Sequence, residues 1–186
     1  ITQHVSAYEV EYEAPDKTQK QITFLDTPGH AAFQGIRVRG AAIADIAILV
    51  VSAEDGVKTQ TLEAYKTIEE TKLPYIVAIN KIDKPNANIP VTKQSLAEAG
   101  IYLEGWGGTI PSVEISAKTG QGVPELLETI GLVAEIENIS GEIDASPTGV
   151  ILESSVNPKS GISATLIIKN GTVHSGGFVV AGTTFA

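Results

Sequence analysis

The chain has 186 residues, with 13 Lys and Arg against 22 Asp and Glu, and a formal net charge of −9. Its hydrophobic fraction of 42% is typical of a globular chain, and the absence of cysteine excludes a disulfide framework, a thiol nucleophile and a Cys-ligated metal site. The acidic balance argues against a broad basic face that grips nucleic acid unaided. The longest apolar run, 43–51, is interrupted by Asp45 and is too short to span a bilayer, so we expect no membrane partner.

Up to about residue 140 the sequence predicts alternating strands and helices. Short apolar, β-branched runs predict the strands, and apolar residues at helical spacing predict the helices. In chain order these are strands 21–25 and 46–52, helix 59–71, strand 75–79, helix 91–99, strand 113–116 and helix 123–139. Strands separated by helices indicate an α/β fold, with a mostly parallel sheet that is covered by helices on both faces.

The character of the sequence changes after this region. Residues 141–148 carry glycine, proline and acids, and we interpret them as a linker between an α/β domain in 1–140 and an all-β module in 149–186. The predicted elements of the module are strands 149–155 and 163–169, with turns at 170–171 and 176–177. The first turn, Asn170-Gly171, is a hairpin signal because both central residues of a type I′ turn need positive φ.

The first polar motif is Asp26-Thr27-Pro28-Gly29-His30, which directly follows a predicted strand. In an open parallel sheet, ligands bind outside the carboxyl ends of the strands. A carboxylate there can hold Mg²⁺ when phosphates share the metal, and Gly29 lets a backbone N–H approach a terminal phosphate. His30 could then orient an attacking water. The alternative is a Pro-Gly turn in which Asp26 caps the following helix.

The second motif, Asn80-Lys81-Ile82-Asp83, follows the strand that ends at residue 79. Guanine offers two donors, N1–H and the 2-amino group, and the carboxylate of Asp83 can accept both, whereas adenine presents an acceptor at N1. Lys81 can lay its aliphatic stem along a face of the base. The alternative is a polar loop that closes a strand.

The third motif, Ser116-Ala117-Lys118, follows the strand predicted at 113–116. A backbone N–H of this loop can donate to guanine O6, and Lys118 can stack on the other face of the base. Three common residues form a weak signal by themselves, and the alternative is an ordinary strand-to-helix loop. Their position after the other two motifs favours the functional interpretation.

In this order, the three motifs resemble the guanine-nucleotide-binding domain of a GTPase. Pro28-Gly29-His30 is similar to the translational GTPases, in which a His at this place orients the water. Four surrounding runs resemble bacterial-type translation initiation factor two, and these are 1–4, 29–33, 37–41 and 104–108. The resemblance covers essentially the whole chain, and its later part, 149–182, is similar to the first half of that family's β-barrel second domain.

The resemblance implies a P-loop GTPase-type fold followed by the start of a translation-factor barrel, and an enzyme that hydrolyses GTP to GDP and phosphate. It implies action on the small and large ribosomal subunits during initiator tRNA placement and subunit joining. The resemblance also implies that the tRNA is bound by C-terminal domains, which we expect to lie outside this chain. We expect GTP or GDP and Mg²⁺ as cofactors, no DNA partner, and a location in the cytoplasm or in an organellar matrix or stroma.

The resemblance also implies residue roles. Thr2 ends the first switch segment and, with Asp26, serves the Mg²⁺, while His30 is the catalytic residue that orients the water. The implied nucleotide-binding residues are Thr2, Asp26, Thr27, Pro28, Gly29, His30, Asn80, Lys81, Asp83, Ser116, Ala117 and Lys118.

One feature departs from the family: no G-x-x-x-x-G-K-[ST] phosphate-binding loop occurs in the sequence. The chain also begins at Ile1 and contains no Met. We therefore expect the phosphate loop, with the first strand and first helix of the domain, to lie upstream of Ile1. A segment without that loop is expected to be inactive by itself.

Three alternatives remain open from the sequence. Another translational GTPase, such as an elongation factor, is the nearest, but the residues around Ala31-Ala32-Phe33 and Trp106 argue against it. A non-catalytic ribosome-docking module is a different class, which the missing phosphate loop favours for this segment. A dinucleotide-dependent oxidoreductase would need G-x-G-x-x-G after a first strand, and the sequence contains none.

Overall fold

The computed structural model describes residues 6–14, 16–27, 34–157, 161–182 and 184–185. The chain divides into two compact units, Ile1–Ile139 and Ser140–Ala186. In the first unit the elements are β1 Ser6–Glu13, β2 Gln19–Asp26, α1 Gln34–Ile43, β3 Ala47–Ser52, α2 Thr59–Thr71, β4 Tyr75–Asn80, α3 Ile89–Glu98, β5 Ser112–Glu114 and α4 Val123–Ile136. In the second unit they are β6 Thr148–Asn157, β7 Gly161–Asn170, β8 Val180–Ala181 and β9 Thr184–Phe185. None of the helices in the described part of the chain has the length and apolar character that a bilayer span requires.

A parallel sheet of β3, β4 and β5 lies at the centre of the first unit, with β4 in the middle. The four residues 76–79 of β4 are 0% exposed, which is the burial expected of a strand that is covered on both faces. Helices α2 and α3 contribute Ile68 and Leu96 to the apolar cluster on one face of the sheet. Helix α4 contributes Leu126, Ile130 and Val133 to the cluster on the other face. The predicted parallel sheet with helices on both faces is therefore confirmed.

The strands β1 and β2 form a separate antiparallel ribbon. Ile22 and Phe24 of β2 pack against the same apolar cluster as α4, together with Ile46 and Ile48 from the neighbourhood of β3. Within the described ranges, however, no hydrogen-bonded ladder joins β2 to β3. The two strands thus share one core while each remains at the edge of its own sheet.

Local capping explains how the observed helix ends compare with the predicted ones. Helix α2 has the predicted bounds and ends at Thr71, where the next residue, Lys72, caps it in the left-handed conformation at φ 55°. Helix α3 begins before the predicted residue 91, because the Asn88 side chain accepts a hydrogen bond from Val91 N–H at 3.2 Å. Helix α4 ends at residue 136 rather than 139, close to Asn138, whose φ is 53°.

The second unit is all-β in its described residues, and its main feature is the antiparallel pair of β6 and β7. The predicted hairpin turn at Asn170-Gly171 is wrong, because a type I′ turn needs positive φ at both central residues and only Gly171 has it. Asn170 instead ends β7, and its side chain accepts a hydrogen bond from Glu142 N–H at 2.6 Å. The second predicted turn is confirmed: Gly176 has φ 88° and Gly177 N–H donates to His174 O.

We expect Leu96→Ala to destabilise the first unit by about 2–5 kcal/mol, because Leu96 is fully buried where α3 packs on the sheet. The measurement is urea unfolding of the chain followed by circular dichroism. Val91→Ala is the matched control from the same helix, since Val91 is 57% exposed, and it should change the free energy of unfolding by less than about 0.5 kcal/mol. Equal effects of the two substitutions would contradict this packing.

Candidate functional site

The carboxyl ends of β3, β4 and β5 bring three loops to one edge of the parallel sheet. Ser52 at the end of β3 pairs in register with Asn80 at the end of β4. Beyond β5, Ile115 N–H donates to Ile79 O at 2.8 Å, which keeps the following loop beside β4. The second and third predicted motifs therefore lie next to each other, as expected for neighbouring parallel strands.

Asn80 joins these loops through its side chain and its backbone. Its Oδ1 accepts hydrogen bonds from Lys81 N–H at 2.7 Å and from Ala117 N–H at 3.0 Å. Its backbone oxygen accepts from Ala53 N–H at 2.8 Å, which adds the loop after β3. Asn80 is therefore suited to fixing the relative positions of the loops. The predicted donation from the third motif to guanine O6, if made by Ala117, would have to share or replace its bond to Asn80.

Asp83 is held by the third motif. Ser116 is fully buried, and its hydroxyl donates to Asp83 Oδ1 at 2.7 Å. This hydrogen bond, with smaller contributions from Lys118 and Lys84, holds the pKa of the exposed Asp83 carboxyl below its ordinary value. The carboxylate is therefore ionised at neutral pH, when both of its oxygens are acceptors, and it retains capacity for further donors.

The loop that carries Ser116 is compact because it is closed by backbone hydrogen bonds. Ser116 N–H donates to Gln121 O at 2.9 Å, and Gly120 N–H donates to Ser116 O at 2.8 Å. Gly122 has φ 73°, and a Cβ at that position would collide with the backbone oxygen of Glu114. The sequence Gly120-Gln121-Gly122 thus lets the chain turn sharply from β5 into α4 while Ser116 stays under Asp83.

The two lysines of the predicted base site, Lys81 and Lys118, are both exposed. Lys81 has φ 66°, a left-handed backbone conformation that is uncommon for a residue with a side chain. Its ammonium group lies 3.6 Å from Oδ2 of Asp55, in the loop after β3. Asp55 belongs to none of the three motifs and was not predicted as a site residue. Its position after a third parallel strand was the signal that could have found it.

The first motif is described only in part. Asp26 is the exposed last residue of β2, and Thr27 is half-buried beside Gly40 of α1. Thr2, Pro28, Gly29 and His30 lie outside the described residues. Asp26 offers exposed carboxylate oxygens at a strand end, which is the type of donor that Mg²⁺ takes when phosphates and water complete its coordination. No group of three or more His, Asp or Glu residues that could hold a metal occurs within the described ranges.

Comparison with known proteins agrees with the motif order. Residues 1–135 match the family model of the elongation factor Tu GTP binding domain. Translation initiation factor IF-2 of Kosmotoga olearia is 51% identical over 186 residues, which are 100% of this chain and 26% of that protein. The chloroplastic IF-2 of Rhodomonas salina is 50% identical over 186 residues, which are 100% of this chain and 25% of that protein. The chain therefore spans about a quarter of the length of these relatives.

Among solved structures, translation elongation factor SelB from Methanococcus maripaludis, in complex with the GTP analogue GppNHp, is similar in fold. It is 26% identical with a TM-score of 0.71, and the match covers 95% of this chain and 38% of that one. This likeness and the family model confirm the predicted fold class. The relatives confirm the predicted resemblance to bacterial-type translation initiation factor two.

We expect Ser116→Ala to raise the pKa of Asp83 toward its ordinary value, because the substitution removes the hydrogen bond that stabilises the carboxylate. The measurement is a carbon-13 NMR titration of the Asp83 carboxyl. A lowered folded-state pKa stabilises the fold above the unfolded pKa, and this contribution is lost as the pH falls through the folded value. Ser116→Ala should weaken that acid dependence. Ser112→Ala is the control, and an unchanged Asp83 pKa in Ser116→Ala would contradict the assignment.

Proposed function

Because the chain belongs to the family of the elongation factor Tu GTP-binding domain, we propose that residues 1–140 form the guanine-nucleotide domain of a translation initiation factor GTPase of the IF-2 type. One observation carries the proposal: the hydrogen bonds from Ser116 to Asp83 and from Ala117 to Asn80 join the two base-recognition motifs at one sheet edge. Relatives that match the whole chain at 50% and 51% identity are named initiation factors, which supports this type over an elongation factor.

Guanine selection is proposed for the edge formed by the second and third motifs. The ionised Asp83 would accept from guanine N1–H and from the 2-amino group, and adenine would leave that carboxylate facing an acceptor. Lys81 and Lys118 would cover the two faces of the base with their aliphatic stems. Asn80 would act by positioning, since its Oδ1 already accepts two backbone N–H groups.

The phosphate end of the nucleotide is proposed for the first motif. Thr2 and Asp26 would hold Mg²⁺, which when bound neutralises charge on the β- and γ-phosphates. Gly29, which follows Thr27 and Pro28, would place its backbone N–H near the terminal phosphate, and His30 would orient the attacking water. Positioning and electrostatic stabilisation supply most of the catalysis in such phosphoryl transfers. Asp26 is the exposed last residue of β2, and a carboxylate in that position supports this assignment.

We also propose that a further strand, which leads into a phosphate-binding loop, pairs with both β2 and β3. Support comes from the arrangement of these two strands. Ile22 and Phe24 share an apolar cluster with Ile46 and Ile48, but the described residues form no hydrogen-bonded ladder between β2 and β3. An edge strand presents unpaired backbone N–H and C=O groups, to which a further strand can hydrogen-bond. The phosphate cradle and its lysine, which the sequence lacks, would come with this strand.

The cellular role follows from the same proposal. The protein would act on the ribosome during initiator tRNA placement and subunit joining, with residues 149–186 forming part of a β-barrel second domain. The all-β character of the described second unit supports the barrel, and the initiation-factor names of the relatives support the ribosomal role. A bacterial and a chloroplastic relative are about equally similar, so the proposed location is the cytoplasm or an organellar stroma or matrix.

The proposal predicts that Asp83→Asn changes base preference in the full-length gene product that contains this chain. GDP binding should weaken by at least about tenfold, because a charged acceptor for two donors is lost. Binding of xanthosine diphosphate should strengthen, since xanthine has a C2 carbonyl to which a carboxamide can donate. Isothermal titration calorimetry with GDP, xanthosine diphosphate and ADP measures both changes.

Asp16→Asn is the matched control for this experiment. It removes one negative charge from the exposed turn between β1 and β2, at the opposite end of the ribbon from Asp26, and all three affinities should stay as in the wild type. Retention of wild-type GDP affinity in Asp83→Asn would exclude Asp83 from base recognition. Preference of the wild-type protein for ADP over GDP would overturn the proposed function itself.

A second prediction concerns residues 1–186 by themselves. We expect no GTP turnover above the buffer rate, because the sequence lacks the phosphate-binding loop on which phosphoryl transfer depends. The measurement is steady-state phosphate release from GTP with and without Mg²⁺. Release well above buffer, lost in His30→Ala, would show that the chain is catalytically competent without that loop.

A further inference from the structure

The loop between β3 and α2 reaches the second motif through an ion pair. Asp55 Oδ2 lies 3.6 Å from the ammonium nitrogen of Lys81, and Asp55 Oδ1 lies 3.9 Å from that of Lys58. Lys81 is 26 positions from Asp55 in the sequence and belongs to the proposed base site, whereas Lys58 belongs to the start of α2. The contact with Lys81 is therefore tertiary, and the contact with Lys58 is local.

Asp55 is itself fixed by the turn in which it lies. Ser52 Oγ accepts hydrogen bonds from Glu54 N–H and from Asp55 N–H, each at 3.3 Å, and Gly56 N–H donates to Ser52 O at 2.9 Å. A hydrogen bond from Ser52, followed by the charges of Lys81 and Lys58, keeps the pKa of the Asp55 carboxyl below its ordinary value. Asp55 is thus a charged group in a defined place.

Lys81 is constrained at both ends. Its N–H donates to Asn80 Oδ1 at 2.7 Å, its backbone oxygen accepts from Lys84 N–H at 3.1 Å, and its φ of 66° sets the direction in which the side chain leaves the backbone. The ammonium group at the other end is next to Asp55. A lysine side chain that is held at both ends samples fewer rotamers than an unrestrained one. It therefore loses less conformational freedom when a ligand binds.

We propose that Asp55 is a positioning residue of the nucleotide site, which holds Lys81 extended so that its aliphatic stem is ready to cover one face of a guanine base. The inference rests on the proposed function, because it assigns Asp55 a role in the same site. Asp55 acts through Lys81 and contacts neither the base nor the phosphates. An exposed ion pair adds little to the stability of a fold, so its effect should be seen in ligand affinity rather than in unfolding.

The test is a double-mutant cycle in the full-length gene product, with GDP as the probe and calorimetry as the readout. Asp55→Asn should raise the dissociation constant for GDP by about three- to tenfold, the loss expected when one long side chain must be ordered on binding. In the Lys81→Gln background, Asp55→Asn should have no further effect. Asp55→Glu, which keeps the carboxylate, should restore most of the affinity.

Lys58→Gln is the matched control, because it removes the other ion pair of Asp55 and leaves Lys81 in place. It should bind GDP as the wild type does, and thermal unfolding should be the same for all variants. Wild-type affinity in Asp55→Asn, or an equal loss in both the wild-type and the Lys81→Gln backgrounds, would overturn the positioning role. If Asp83→Asn still weakens GDP binding, the proposed function survives that failure. If the wild type shows no preference for GDP over ADP, both proposals fail.

Discussion

Complete burial of β4 is the constraint on which the arrangement of the first unit depends. Residues 76–79 are inaccessible from either face of the sheet, so this stretch tolerates apolar side chains and excludes unpaired polar ones. Polar side chains of the functional site can therefore occur only where this stretch ends, at Asn80. Because β3 and β5 run parallel to β4, their polar residues emerge at the same edge. Burial of the strand thus concentrates Ser52, Asn80 and Ser116 in one place.

The loops at that edge repeat one hydrogen-bonding device. A serine at or just after a strand end is bonded to an acid: Ser52 Oγ, at the end of β3, accepts from Asp55 N–H, and Ser116, after β5, donates its hydroxyl to Asp83 Oδ1. In each case the hydroxyl favours the ionised carboxylate and fixes its place. Because the serines lie at or next to strand ends, they hold the acids in fixed positions relative to the sheet. A ligand that meets them finds charges already oriented, which is the condition for strong and selective electrostatic recognition.

Much of this could be predicted because burial and motif order leave clear patterns in a sequence. The apolar runs at β3 and β4 and the helical spacing of α2 identified these elements with bounds that differ from the structure by at most one residue. Strand β1 was missed although Tyr8, Val10 and Tyr12 alternate with glutamates, because the ribbon buries little of them. Helix α1 was missed because glycines interrupt its weak apolar pattern. Neither element contributes a fully buried strand or a strongly two-sided helix.

Other features depend on contacts that no local pattern encodes. Asn170-Gly171 has the composition of a hairpin turn, yet positive φ occurs at Gly171 and not at Asn170, whose side chain is used to bind Glu142. Asp55 carries no motif, and its importance arises from the tertiary contact with Lys81. The second and third motifs could be placed together from strand order, but the donation from the buried Ser116 to Asp83 required the structure. The residue types indicated which hydrogen bonds and ion pairs these side chains could form, and the tertiary packing determined which partners they have.

The charge of the chain illustrates how such pairs decide what a surface can bind. A net charge of −9 would repel an anionic ligand at long range, but at physiological ionic strength such fields fall off over about 8 Å. At the proposed base site the acids lie beside lysines: Lys81 is close to Asp55, and the charges of Lys118 and Lys84 help to lower the pKa of Asp83. The lysines beside these acids also have aliphatic stems that could contact a base. Local pairing at the sheet edge therefore outweighs the overall acidity of the chain in determining which ligand this edge can accept.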